Sequence, residues 1–546
     1  MEARIEKYPV ISLLLLSAGL YFFNLNLLQV TIMEARNFLV AREMLGDGNF
    51  LLTTMNGIPR YEKPPFPPWF TLPFAAISGG NELFWFRVPT SVFASLGILA
   101  MYFFLFQETG NRRFSLFGAM ILSTTLYYLT IRFEGPSDTY AHVSMFGALA
   151  LLFMFLRQPV PKPWLAVVAG LLTGISFLSK GPVSMYAMLL PFLIAYFLIY
   201  RVLAFRRKLG WLIGYLLISV IAGGSWYLYV RLMDPEGILA MASKEASNWT
   251  SYNVKPFYFY WNFFIQSGVW AIPALLSMVM YQWIRRVSPW FQLYRFSLVW
   301  MLLSVLLLSL IPEKKVRYLV PVMFPLAVTT AVWIFTVVSE GFPAGKKSRR
   351  WMKYLVFGLP AIPALLFPLV AFFLEIEGIS EWSIYLTGCI LFVASGVMIL
   401  RLIARDKLVP AFYMTLVLAV LVTTFGFRAV NWLPVYEGYR PPENFSNEKN
   451  LAVFALEEIQ PEVVWKLGMK VPVVGEEIVR EYSQPFLLLV SRDHEKDYLK
   501  MITRGRSVEK VDSYDLNYFR KKNNRYRARY ILDVYRFDQQ LPDSGS

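Results

Sequence analysis

The chain has 546 residues, 56% hydrophobic and 16% charged, with a formal net charge of +16. Soluble globular chains carry about 25% charged residues, and apolar runs near the ~20 residues of a bilayer span recur along most of this one. A soluble fold is excluded on that ground. The single cysteine, Cys389, excludes an intramolecular disulfide and a cysteine metal cluster. The basic residues sit in short loops between apolar runs, where they set orientation rather than bind nucleic acid.

About thirteen spans are predicted, at residues 9–28, 86–106, 114–131, 138–156, 164–179, 183–200, 210–230, 257–281, 293–311, 318–338, 353–373, 384–400 and 408–427. The first is too long for a signal-peptide core and lacks a small-residue cleavage site, so it reads as a retained span. Residues 34–45 read as a helix stopped by Gly46-Asp47-Gly48, and the Pro- and Trp-rich run 64–79 as a re-entrant or interfacial helix. The run 164–179 is short and ends at Lys180-Gly181-Pro182, as one arm of a broken helix would. Basic residues mark every second loop: Arg4 and Lys7, Arg112 and Arg113, Arg157 and Lys162, Arg206 and Arg207, and so on to Arg401 and Arg405. The N-terminus is therefore expected in the cytoplasm and, with an odd number of spans, the C-terminal segment outside.

Beyond Asn431 the apolar runs stop. Helices are predicted at 450–459 and 493–502, and strands at 471–474, 486–490 and 529–534. The expected organisation is a transmembrane domain at 1–430, with a first outer loop at 30–85, and a small α/β extracytoplasmic domain at 431–546. No internal repeat supports an inverted-repeat transporter.

The loops opposite the basic set hold mixed charges at helix ends, and charge at membrane depth is costly unless paired or facing a wet cavity. Glu34 follows the first span, where it could accept a proton or serve as a helix N-terminal acid. Glu62-Lys63-Pro64-Pro65 sets a carboxylate and an ammonium beside a proline-fixed backbone; the pair is either a phosphate site or a surface ion pair. Arg132, Glu134 and Asp138 surround one connection, and Asp138 falls inside the start of a span, as a functional acid or an N-terminal cap. His142 lies one turn beyond Asp138 and reads as a helix-packing histidine. No HxxxH, HExxH or CxxC pattern is present, so no metal site and no cofactor is expected. Lys180 beside Gly181-Pro182 suits an anion or a snorkelling role. In Pro312-Glu313-Lys314-Lys315-Val316-Arg317-Tyr318, three cations occupy four positions on the side that the positive-inside rule disfavours, which points to a polyanionic phosphate.

The order EAR, AREML, YEKPP, an Asp at the fourth span, LSKGP and PEKKVRYLVPV resembles the integral-membrane GT-C glycosyltransferases, within the protein O-mannosyltransferase-like group that includes the lipid A aminoarabinose transferases. The resemblance covers residues 1 to about 430. It implies an inverting transfer of a sugar from a polyprenyl-phosphate donor to a lipid or protein acceptor at the outer face of a bacterial inner membrane; a monomer is expected. It implies that Lys63 binds the lipid phosphate, that Lys314, Lys315 and Arg317 help hold it, and that Glu34 and Asp138 line the sugar or activate the acceptor. Glu62, Arg132, Lys180 and Tyr318 complete the expected substrate site. Members commonly carry an Asp-Glu pair where this chain has Met33-Glu34, and a histidine where it has Asn253. A phosphate acceptor is already ionised and needs no base, whereas a hydroxyl needs one, so the missing Asp favours a lipid or glycolipid acceptor. A lipid-linked sugar flippase and a non-catalytic polyprenyl-phosphate binder are the competing readings. A flippase needs charge along a transmembrane path, and here charge gathers at span ends.

Overall fold

The computed structural model describes residues 2–80, 82–342, 346–442, 445, 447, 451–493, 507–523 and 526–538. It divides into two compact units: Met1–Gln29 with Tyr61–Trp432, and Val30–Arg60 with Leu433–Ser546. The first outer loop, expected to belong wholly with the transmembrane domain, is thus split, and residues 30–60 cluster with the C-terminal segment.

The first unit is a helical membrane-spanning body. Among the described residues, nine helices are long and apolar enough to cross a membrane, and two bent pairs raise the number to eleven. Two shorter apolar helices, Pro9–Tyr21 and Met185–Ile199, occupy the places of the expected first and sixth spans. The expected first span ends early because Asn24 takes a left-handed conformation (φ 58°) and donates its side-chain amide to the Thr423 and Thr424 carbonyls at 3.1 and 2.6 Å. The expected span 114–131 is broken at Thr125, whose extended backbone bends Arg112–Thr124 against Leu126–Glu134 by 46°. The expected span 353–373 bends by 59° between Arg350–Gly358 and Ala361–Phe373. Pro360, which has no N–H to give, stands at that break. The run 64–79 forms the Phe66–Ile77 helix, entered through four prolines, Pro64, Pro65, Pro67 and Pro68. A further helix, Pro235–Ser251, forms where the sequence reads as loop.

The core of this body is aromatic, with Trp270, Trp300, Trp333, Tyr21 and Tyr140 fully enclosed. The Pro163–Lys180 and Phe205–Met233 helices pack closely: a Cβ on Gly170 would meet the Tyr215 carbonyl at 3.0 Å, and one on Gly223 would meet Phe177 at 2.9 Å. That packing holds the C-terminal end of Pro163–Lys180 in place.

The second unit is a four-stranded sheet with helices. Its strand order is Ala452–Ala455, Phe486–Ser491, Ile531–Phe537, Val508–Asp515, with the first pair parallel and the others antiparallel. Phe486–Ser491 is apolar along its length because both faces are covered. Leu487 and Leu489 join one cluster with Leu39, Val463 and Val464, while Phe486, Leu488 and Val490 join another with Val479 and Phe537. Leu39 belongs to the Ile32–Asp47 helix, which starts at a Thr31–Glu34 capping box and stops at Gly48 (φ 70°). Its Arg42 donates to the Val464 carbonyl at 3.1 Å, and its Glu43 carboxylate holds the turn at Asn56 and Gly57. Asn56 in turn exchanges two hydrogen bonds with the Val471 backbone, at 2.6 and 2.7 Å.

Two expectations for this unit are corrected. The predicted helix 450–459 contains the Ala452–Ala455 strand, because this apolar run pairs in parallel with Phe486–Ser491. The predicted strand 471–474 makes only a single bridge, Val473 to Ala455. The strands predicted at 486–490 and 529–534 are present as Phe486–Ser491 and Ile531–Phe537. The helix predicted at 493–502 lies, beyond Asp493, outside the described residues.

Candidate active site

Asp138 stands in the first turn of Pro136–Arg157 and Lys180 in the last turn of Pro163–Lys180. Each charge therefore sits at the helix end whose dipole favours it. Their side chains are 1% and 7% exposed, and Lys180 Nζ donates to Asp138 Oδ1. His142, one turn beyond Asp138 on the same face, brings Nε2 to 3.4 Å from the same oxygen. Its Nδ1 lies 2.9 Å from Ser184 Oγ. A Cβ on Gly135 would collide with Asp138 Oδ2, so glycine is required there for space.

Around this buried pair lies a ring of charge and aromatic surface. Lys180 Nζ sits 5.0 Å from the centre of the Tyr318 ring, a cation–π contact. The Tyr318 hydroxyl donates to Glu313 at 3.2 Å, and Glu313 pairs with Lys315 at 2.6 Å. Lys63 and Arg317 act electrostatically on Lys180, and Arg317 acts on Asp138 as well. Arg317 reaches the Glu134 carbonyl at 3.5 Å, its Nε is buried without a hydrogen-bond partner, and among the described residues no carboxylate pairs with it. Arg317 also acts electrostatically on Glu134, so cations and acids interleave around the buried pair.

Other candidates lie elsewhere. Arg132 turns away and donates to the Tyr21 and Leu20 carbonyls at the end of Pro9–Tyr21, stacking on Tyr21 and Phe133. Lys314 points into backbone, donating to the Ile311 and Lys255 carbonyls at 2.5 and 3.1 Å, and burial pushes its ammonium below the ordinary lysine value. It locks residues 311–319 to the preceding loop, where Asn253 donates to the Lys314 carbonyl at 2.9 Å. Glu62 pairs with Lys244 of Pro235–Ser251 at 3.1 Å. Beside it, Tyr61 donates to Asp234 at 2.9 Å, and burial together with that carboxylate pushes the phenol up to about 12. Glu34 is fully buried and accepts the Thr31 N–H at 3.0 Å, as its part in the capping box; it belongs to the second unit.

Sequence reasoning assigned His142 to packing and passed over Ser184 and Gly135. The available signal was spacing: His142 is four residues beyond Asp138, and Ser184 four beyond Lys180. Among the described residues, no group of three or more His, Cys, Asp or Glu side chains is placed to hold a metal.

Comparison with known proteins gives three likenesses. The family model for dolichyl-phosphate-mannose-protein mannosyltransferases matches residues 62–227, which include Lys63, Asp138 and Lys180. Undecaprenyl phosphate-alpha-4-amino-4-deoxy-L-arabinose arabinosyl transferases are similar. The one from Shewanella sediminis is 24% identical over 320 residues, covering 56% of this chain and 55% of its own. One from Pseudomonas fluorescens is 27% identical over 313 residues, 54% of this chain and 50% of its own. The match therefore spans about half the length of these relatives. Crystal structures of ArnT from Cupriavidus metallidurans, bound to undecaprenyl phosphate and in the apo state, align over 98% of both chains with TM-scores of 0.66 and 0.67, at 15% and 16% identity. The chain is a multi-pass membrane protein with the ArnT fold along its length, and about half of it is similar in sequence to the undecaprenyl phosphate-alpha-4-amino-4-deoxy-L-arabinose arabinosyl transferases.

Proposed function

We propose that this chain transfers a sugar, with inversion at the anomeric carbon, from a polyprenyl-phosphate donor to lipid A or another glycolipid. The observation that carries the reading is the gathering of cations around a buried carboxylate at the ends of membrane helices. Arg317 makes no salt bridge among the described residues, and together with Lys63 it bears electrostatically on the Asp138–Lys180 pair. A phosphate monoanion or dianion is the complementary charge for such a group of cations. The activities named for the arabinosyl transferases, and the undecaprenyl phosphate named for the ArnT crystal, support a lipid-linked donor.

In this reading Lys63 and Arg317 hold the phosphate, with Lys315 and Tyr318 at its side. As the glycosidic bond breaks, negative charge grows on the phosphate oxygen that leaves, and fixed cations in a poorly hydrated site stabilise that growth. Asp138, held by Lys180, faces the sugar or the acceptor. Glu34 remains a candidate general base, needed only if the acceptor is a hydroxyl. The N-terminus is placed in the cytoplasm of a bacterial inner membrane and the Leu433–Ser546 portion in the periplasm, on the strength of the alternating basic loops.

The test is reconstitution of the purified chain with a defined polyprenyl-phosphate sugar and either lipid A or an acceptor peptide. Mass spectrometry of the products, with release of free polyprenyl phosphate, should show the sugar mass on the lipid. Sugar on the peptide would favour a protein glycosyltransferase, in keeping with the mannosyltransferase family model. Movement of intact donor between leaflets with no transfer would establish the flippase reading instead.

A further inference from the structure

The reading above uses Asp138 and Lys180 and leaves their neighbour His142 without a task. The His142 side chain is 1% exposed, on a membrane-spanning helix. Both its nitrogens have partners, Asp138 Oδ1 at 3.4 Å and Ser184 Oγ at 2.9 Å. A hydrogen bond to a histidine nitrogen needs one donor and one acceptor. A carboxylate can only accept, so Nε2 carries the proton. In the neutral ring Nδ1 is then bare and accepts the hydroxyl proton of the fully buried Ser184.

The backbone explains why these four residues meet. The helix ending at Lys180 is followed by Gly181 at φ 71° and ψ −152°, a conformation that side chains disfavour. The turn made there carries Lys180 on one side and Ser184 on the other. Lys180 grips Asp138 and Ser184 grips His142, so one turn closes a ring on two residues of a neighbouring helix: Lys180, Asp138, His142, Ser184. Both Lys180 and His142 bear on Oδ1. Among the described residues no hydrogen bond engages Oδ2, which lies over Gly135, where no side chain fits.

We propose that His142 is a positioning residue: Ser184 holds it as the Nε2–H tautomer, and it fixes the Asp138 carboxylate so that Oδ1 is committed and Oδ2 is presented to substrate. The inference rests on Asp138 standing at the reacting centre.

The chain has two histidines, so 15N-histidine-labelled protein carrying His494→Asn shows a single imidazole. Expected is a neutral ring protonated at Nε2, with the bare Nδ1 resonance moved by Ser184→Ala and the tautomer preference lost in Asp138→Asn. An imidazolium, or a ring protonated only at Nδ1, overturns the proposal. The kinetic arm uses the reconstituted chain and a defined polyprenyl-phosphate sugar. His142→Phe should lower kcat roughly 10- to 100-fold, the scale on which misplacing a reacting group acts, with the donor KM within about twofold. His142→Gln, whose amide can still donate to Asp138, should recover part of the loss. Ser184→Ala should cost less and add nothing on top of His142→Phe. A wild-type kcat for His142→Phe, or a loss confined to KM, overturns the proposal. If His142→Phe does not fold, Ser184→Ala and His142→Gln carry the kinetic test. If the unaltered chain transfers no sugar, the proposed function fails while the resonance arm still decides on the relay.

Discussion

Lys180 donates to Asp138 from the last turn of one helix to the first turn of its neighbour, and both side chains are almost wholly enclosed. Removing one member of a buried pair leaves an uncompensated charge, at a cost of about 3–5 kcal/mol, whereas replacing both with neutral groups is far milder. Asp138→Asn and Lys180→Met should each lower the thermal midpoint, and the double variant should recover much of it. Sugar transfer should stay low in all three. Recovery of transfer together with stability in the double variant would mean that the pair is scaffold alone.

The two cations beside this pair are expected to hold the donor. Lys63→Ala and Arg317→Ala should each weaken binding of a polyprenyl phosphate by about 1.5–3 kcal/mol, the worth of a charge-assisted contact. Lys314→Ala should instead lower stability, since its ammonium is spent on the Ile311 and Lys255 carbonyls. Titration calorimetry with a short-chain polyprenyl phosphate separates the two outcomes. Unaltered affinity in both Lys63→Ala and Arg317→Ala removes them from the phosphate site.

Glu34 offers a sharper choice. A glutamine also closes a capping box, so Glu34→Gln keeps the helix start while losing the charge. If Glu34 acts as general base, transfer should fall roughly 10²–10⁴-fold. The acidic limb of the pH–rate profile should vanish with it. An unchanged rate and profile would leave Glu34 as a helix-end acid. Glu34→Ala should cost about 0.5–2 kcal/mol in either case, from the lost cap.

In the second unit, Asp533 is fully buried. Burial alone would raise its carboxyl, but hydrogen bonds from Arg492, Lys510 and Ser513 outweigh it and hold the group below the ordinary aspartate value. A folded-state pKa below the unfolded one gives stability that is present above the unfolded value near 3.9 and is lost as pH falls through the folded value. Stability of the wild type should therefore drop on acidification below about pH 4, in part through this group. Asp533→Asn should start about 1.5–3 kcal/mol lower at neutral pH and fall less steeply in acid. Hydrogen exchange on the Ile531–Phe537 strand across pH 3 to 7 reads both effects.

The proposed orientation has its own test. A reporter that works only outside the cytoplasm, fused after Phe537, should be active, and one that works only inside should be silent. The reverse pattern would overturn the assignment from basic loops.

The membrane helices and the LSKGP and PEKKVRY stretches were legible because composition and loop charge speak directly about the bilayer. What each cation does was not. Arg132, Lys180, Lys314 and Arg317 look alike in sequence, each a basic residue next to an apolar run. Their partners differ: backbone carbonyls for Arg132 and Lys314, a carboxylate for Lys180, and for Arg317 the Glu134 carbonyl with carboxylates acting only at longer range among the described residues. Only the tertiary arrangement distinguishes them, so the three-cation run overstated the phosphate site by at least Lys314. The short run at 451–456 has no period to separate strand from helix, and partnership with Phe486–Ser491 decided it. The Val508–Asp515 strand was missed because VEKVDSYD, at the end of the sheet, carries too little apolar surface to signal itself.

The second unit draws on both ends of the chain, and this bears on its biosynthesis. Asn56 and Val471, which exchange paired hydrogen bonds, are 415 residues apart. At ribosomal rates of about 5–20 residues per second, the Ile32–Asp47 helix waits tens of seconds before its partners emerge. Until then Leu39 and Arg42 lack their partners in the C-terminal segment. A fragment starting at residue 433 would lack that helix and the Asn56 turn. A version that folds alone would have to carry residues 30–60 joined to 433–546 by a linker in place of the membrane-spanning unit.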